Sequence, residues 1–198
     1  MQIFSAIHRW YCTHFATCAL LFKKPQLALH SYEKILARQP QHALTLSRIA
    51  YLHAEAGDRQ RAIAGFERVL AIDAADGNSW FNLGFLHQEN GDHSIAIEAF
   101  EHATRINPRH DRAWYGTGLS LMALGRYADA VPPLEANVAL QPMSPFGPMA
   151  LARVYFRLGD SDRCERQMRK LMAFDPKNAA VLEDETGISI GVDRWWHR

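Results

Sequence analysis

Apolar and small side chains recur along the chain at helical spacing, and the whole helical pattern recurs every 34 residues. Residues 80–92 read WFNLGFLHQENGD, and 114–126 read WYGTGLSLMALGR, with tryptophan, aromatic, glycine and closing glycine in phase. Blocks started at 9, 43, 77, 111 and 145 keep this register. Their fourth place holds Cys12, Leu46, Trp80, Trp114 and Pro148, and their eighth is always small: Ala16, Ala50, Gly84, Gly118 and Ala152. The seventh place (Phe15, Ile49, Leu83, Thr117, Leu151) and the eleventh (Ala19, His53, His87, Leu121, Tyr155) complete the set. Spacings of i, i+3, i+4 and i+7 put these four places on one face of a helix.

A stop follows each stripe. Place 15 is Gly57, Gly91, Gly125 and Gly159, residues that accept the left-handed conformation closing a helix. In the first block Lys23, Lys24 and Pro25 make the same break differently. A second stripe then begins, small at Ala28, Ala62, Ala96, Ala130 and Cys164, and bulky at Tyr32, Phe66, Phe100, Leu134 and Met168. Pro40, Pro108, Pro142 and Pro176 prevent this helix from running on. Each block is thus two helices of about a dozen residues, marginal alone. Each pair leaves an apolar flank that only a neighbouring pair covers, and stacking such pairs makes an α-solenoid.

These positions resemble the tetratricopeptide repeat, whose series of tryptophan, leucine, glycine, tyrosine, alanine, phenylalanine, alanine and proline has the same period. Residues 77–110 carry Trp80, Leu83, Gly84, Ala96, Phe100, Ala103 and Pro108. The resemblance runs from 9 to 178 and implies an all-α, right-handed α-solenoid of about five helix-turn-helix repeats. The expected division is an extension at 1–8, repeats at 9–42, 43–76, 77–110, 111–144 and 145–178, and a capping helix and tail at 179–198. The first block departs most, lacking both tryptophan and glycine. In the fifth, Ser144 would cap and Pro145 begin the helix, while Pro148 makes its first turn irregular. Pro132 and Pro133 are expected to bend their helix unless they fall in its first turn.

In tetratricopeptide proteins the face opposite the packing stripe lines a concave groove that holds an extended or helical peptide. By that resemblance the groove residues are Arg48, Tyr51, Phe81, Asn82, Phe85, Arg112, Tyr115, Leu119 and Met149. Phe81 and Tyr115 occupy places that also help neighbouring repeats to pack. Where the family often has asparagine, this chain has Tyr51, Phe85 and Leu119, an apolar strip that a partner would cover. Relatives that grip a terminal carboxylate use five Lys, Asn and Arg residues. Only Asn82 and Arg112 match, with Ser47, Tyr51 and Gly116 elsewhere, so a chaperone-tail clamp is not expected. Arg48 and Arg112 remain suited to acidic groups on a peptide.

Charge changes the picture little. Twenty-two Lys and Arg against 21 Asp and Glu leave +1, without the positive field that nucleic acid requires. Three cysteines without paired spacing suggest a reducing, cytoplasmic setting. His14 and Cys18 lie one helical turn apart, but no second pair joins them, so no metal or other cofactor is expected. No phosphate-cradling loop, metalloprotease motif or nucleophile elbow is present, and the repeats leave no room for a catalytic domain.

Both ends are apolar. WYCTHFATCALLF (10–22) is too short to cross a bilayer, and no small-residue cleavage site follows it. Phe4, Ile7, Tyr11, Phe15, Cys18 and Phe22 recur at helical spacing, which predicts a packed first helix, with a membrane-surface anchor as the alternative. The tail holds Trp195 and Trp196, expected to dock on the chain or meet another subunit. The function expected is a non-enzymatic adaptor or scaffold that binds a peptide or helix of another protein. The alternatives are self-assembly through Trp10, Phe15, Phe22, Trp195 and Trp196, or a membrane-attached assembly factor held by residues 1–22.

Overall fold

The computed structural model describes residues 2–194, with side chains from residue 6 onward. Among the described residues there are eleven α-helices and no strand. They are α1 (Gln2–Leu21), α2 (Pro25–Leu36), α3 (Ala43–Glu55), α4 (Arg59–Ile72), α5 (Gly77–Glu89), α6 (His93–Ile106), α7 (Asp111–Ala123), α8 (Tyr127–Leu140), α9 (Phe146–Arg157), α10 (Ser161–Met172) and α11 (Pro176–Thr186). The chain forms two compact units, Met1–Leu86 and His87–Arg198, divided within α5. Helix follows helix through short turns, the arrangement of stacked hairpins that defines an α-solenoid.

The turns follow from single residues. Gly57, Gly91, Gly125 and Gly159 all have φ between +73° and +85°, the left-handed region that stops a helix without a Cβ penalty. After two of them an aspartate caps the next helix: the carboxylates of Asp58 and Asp160 accept the backbone N–H of Arg61 and Arg163, at 3.1 and 2.9 Å. Lys23 takes the same left-handed conformation (φ 55°), so the first turn keeps the geometry without the glycine, and Pro25 begins α2.

In the first unit α1 packs on α2, α2 on α3 and α3 on α4. Ala16, Ala28, Ala50 and Ala62 are fully buried and let the helices close up around Tyr32, Ile35 and Phe66. The second unit has one continuous core from Ile97 and Leu121 through Leu134, Leu151, Tyr155 and Met168 to Leu182 and Ile190. Gly116 meets the buried Phe100 ring, where a Cβ would lie 2.6 Å from Cζ. Its carbonyl accepts the Gln88 side-chain amide at 3.1 Å, and that amide also reaches the buried Ser120 hydroxyl at 2.8 Å.

The recurring tryptophans pack and also hydrogen-bond. The indole N–H of Trp80 donates to the Ala74 carbonyl at 3.0 Å, and that of Trp114 to the Pro108 carbonyl at 2.9 Å. Each ties the first turn of its helix to the connection six residues before it. Trp114→Phe keeps most of the apolar contact and loses this bond. Its unfolding free energy in urea is expected to fall by about 1 kcal/mol.

Three local expectations change. Of the stripe expected to pack, Ile7, Tyr11, Phe15 and Cys18 on α1 and Phe22 just after it are exposed, and the Phe4 side chain lies outside those described. Cys12, Ala16 and Ala19 are buried instead, because only the side carrying small residues approaches α2 closely. Ser144 does not cap α9: Pro145 holds the cap position without a side-chain bond, and Pro148 sits in the first turn, where a missing N–H costs no helical bond. Pro132 and Pro133 lie inside α8 beyond its first turn, and the helix continues through both.

The tail folds back. α11 ends at Gly187 in the left-handed conformation, and Ile190 enters the core of the second unit with Ile188 and Val192 beside it. The Glu183 carboxylate gathers the irregular segment that follows, accepting the backbone N–H groups of Ile190 (2.6 Å), Gly191 (2.9 Å) and Val192 (3.4 Å). Trp195 and Trp196 lie outside the described residues.

Candidate functional site

In the first unit, α1 and α3 turn matching faces toward the same open surface. Thr17 and Leu20 of α1, Tyr32 of α2, Arg48, Tyr51 and Glu55 of α3, and Asn82 of α5 line a cleft of about 610 Å³. Arg48 also borders a second cleft of about 680 Å³, with Arg9, Trp10 and His14 of α1 and His42 and Leu44 at the start of α3. The α1 positions 10, 13, 17 and 20 and the α3 positions 44, 48, 51 and 55 are three or four apart, so each set is one helical face.

The walls differ in character. Tyr51 is 52% exposed and, with Leu20, offers apolar surface beside the amide of Asn82. The Arg48 guanidinium stands 5.7 Å from the Tyr32 ring centroid, an arrangement that orients a cation without neutralising it. Arg9 donates to the Gln39 side-chain carbonyl at 3.1 Å. Among the described residues no carboxylate lines the second cleft, whereas the first has Glu55. His42 registers the resulting field: burial lowers its pKa, and the charges of Arg9 and Arg48 lower it further. Its neutral ring accepts the Thr45 backbone N–H at Nδ1 (3.3 Å), which caps α3.

The structure brings together only some of the expected groove residues. Arg48, Tyr51 and Asn82 share the first cleft. Phe81 is 8% exposed and has little surface to offer, whereas Phe85 is 46% exposed on α5. In the second unit Arg112 is exposed on α7, while Leu119 and Met149 are half-buried against the core. Tyr115 is also half-buried, its ring centroid 6.3 Å from that of Phe146. Burial raises the Tyr115 pKa, against the opposing charge of Arg153. Arg153 is itself held by Glu185 through two 2.8 Å bonds.

Of the expected assembly contacts, Trp10 borders the second cleft, while Phe15 on α1 and Phe22 just beyond its end are exposed elsewhere. Sequence reasoning missed the first block's share of the cleft, Thr17 and Leu20, together with Arg9 and His42. The same place numbers that select Tyr51 and Arg48 select Thr17 and His14, although the first block lacks the tryptophan and glycine that mark the repeat.

Among the described residues no three His, Cys, Asp or Glu side chains come together to hold a metal ion. No helix among them is long and apolar enough to cross a membrane.

A tetratricopeptide repeat profile matches residues 23–79 and 81–148, and a second matches 149–170. No curated protein matches the chain by sequence. The fold is similar to that of a MamA protein crystal structure, with TM-score 0.78 and 16% identity over 92% of this chain and 97% of the other. It is similar to a MamA fragment from Desulfovibrio magneticus RS-1, with TM-score 0.78 and 18% identity over 85% and 95%. It is also similar to YrrB, described as a repeat protein with an unusual peptide-binding site, with TM-score 0.76 and 16% identity over 87% and 90%. At such identities the likeness is one of fold.

Proposed function

The chain belongs to the tetratricopeptide repeat family, and on that premise we propose that it is a non-enzymatic adaptor whose first unit binds a peptide or helix of another protein. One observation carries this reading: Arg48, Tyr51 and Asn82, from two helices, converge on a single open cleft with an exposed aromatic wall. Tyr51 and Leu20 supply apolar contact, Asn82 fixes the ligand backbone, and Arg48 meets an acidic or polar group. Phe85 is exposed in the same unit, and within the second unit Arg112, Tyr115, Leu119 and Met149 are proposed as ligand contacts of their own. The peptide-binding description of YrrB supports this use of the fold. The free thiols of Cys12, Cys18 and Cys164 support a cytoplasmic setting.

A peptide array probed with the folded chain tests the reading. Tyr51→Glu, at an exposed position, is expected to leave the circular dichroism unchanged. It should weaken the selected peptides by about thirtyfold, the loss expected for a central aromatic contact. Arg48→Glu should shift selection away from acidic peptides. Retained affinity in Tyr51→Glu would refute the assignment of this cleft.

A further inference from the structure

The first helix presents two unlike surfaces besides its buried one, and only one of them faces the cleft. On the other side lie Tyr11, Phe15, Cys18 and Phe22, with Tyr11 63% and Phe22 75% exposed. The positions corresponding to Tyr11, Phe15 and Cys18 are covered in later first helices, whereas those corresponding to Phe22 (Ala56, Asn90, Leu124 and Leu158) are exposed there too. Where α1 has Tyr11, α3 and α7 have the buried Thr45 and Ala113. Where it has Phe15, α5 and α9 have the buried Leu83 and Leu151. Where it has Cys18, the buried residues are Leu52 and Val154. Tyr11, Phe15 and Cys18 therefore hold the stacking face of a hairpin array, uncovered on α1 among the described residues and more aromatic there than in the covered helices, and Phe22 continues it one turn further.

Its charge setting identifies what covers it. Residues 1–32 contain Arg9, Lys23 and Lys24 and no aspartate or glutamate, so all 21 acidic residues lie beyond them. The strip ends at Phe22, directly before the exposed Lys23 and Lys24. An aromatic helical face closed by lysines and free of carboxylates matches the boundary between headgroups and acyl chains of an anionic bilayer. A second copy of this segment offers those lysines no carboxylate. We propose that α1 lies on an anionic lipid surface through Tyr11, Phe15 and Phe22, with Lys23 and Lys24 in the headgroups, leaving the peptide cleft on the opposite flank open. The proposal is independent of what the cleft binds.

Flotation of the full chain with phosphatidylcholine vesicles, with and without phosphatidylglycerol, tests it. The chain is expected to float with the anionic vesicles and to be released by high salt. Lys23→Gln with Lys24→Gln should weaken partitioning by about thirtyfold. Phe15→Ser with Phe22→Ser should abolish it at unchanged circular dichroism, since both residues are exposed. Absence from the anionic vesicles overturns the proposal, as does unaltered flotation of the phenylalanine variant. A dimer in light scattering that the phenylalanine variant dissolves, without flotation, also overturns it and assigns the strip to a second copy.

Discussion

Phe100→Ala is expected to cost about 3–5 kcal/mol of unfolding free energy, the range for removing a fully buried phenylalanine. The ring is 0% exposed, and its far edge fills the space above Gly116 on α7. A Cβ at 116 would stand 2.6, 2.7 and 3.0 Å from three ring atoms, so α6 and α7 approach each other on the condition that this position carries none. Gly116→Val should therefore cost about 2–3 kcal/mol by overpacking, despite valine's better helix propensity. The two changes should not add. In the Phe100→Ala background the valine methyls occupy part of the space the ring has left, and the double variant should be more stable than the sum by more than about 1 kcal/mol. Urea titrations of the four proteins measure the coupling. Simple additivity would mean that the ring and the glycine do not share one space.

Glu183→Ala is expected to release the tail. That carboxylate accepts three successive backbone N–H groups and an ion pair from Arg194 at 3.5 Å, with its side chain 12% exposed. Removing it leaves those donors without an acceptor and frees Ile190 to leave the core. A loss of about 1.5–3 kcal/mol is expected for hydrogen bonds to a charged group. Amide exchange at Ile190, Gly191 and Val192 should accelerate with it, whereas Glu183→Gln, which keeps a carbonyl, should be milder.

The effect should depend on pH in one direction. Burial raises the Glu183 pKa, but the N–H groups of Ile190, Val192 and Gly191 and the Arg194 side chain outweigh it, and the net shift is below the ordinary 4.5. A carboxylate with a lowered folded pKa contributes its full stability above 4.5 and loses it as pH falls through the folded value. Wild type and Glu183→Ala should thus differ most near neutral pH and converge in acid. A difference that persists into strong acid would show that the carboxylate charge is not what holds the tail.

Much of this molecule was legible because stacked hairpins impose a local rule at every turn. Left-handed backbone must occur where one helix stops, so glycine at 57, 91, 125 and 159 marks those stops in the sequence, and all four adopt that conformation. Close helix approach demands small residues, and Ala28, Ala62, Ala96 and Ala130 are buried to 0% where the spacing places them. The candidate cleft was legible only in part. Arg48, Tyr51 and Asn82 share a cleft, but Phe81, equally apolar and on a similar face, is buried. Exposure depends on what stands next to a helix, which its own periodicity does not contain.

The first helix shows where local pattern gives out. Its apolar spacing is that of a packed stripe, yet Ile7, Tyr11, Phe15, Cys18 and Phe22 are exposed, while Cys12, Ala16 and Ala19 are buried. Hydrophobic spacing states that a face prefers burial. Whether a neighbour exists to bury it is a property of the assembled chain. The tail is the complementary case: Glu183 and Ile190 carry no readable motif, and only the fold brings the carboxylate to the N–H groups seven to nine residues later. Helices, their stops and the close contacts between them were thus set by short-range sterics written in the residues. Which apolar faces remain open, and which charges find partners, was decided by contacts between segments distant in sequence, and those exist only in the folded molecule.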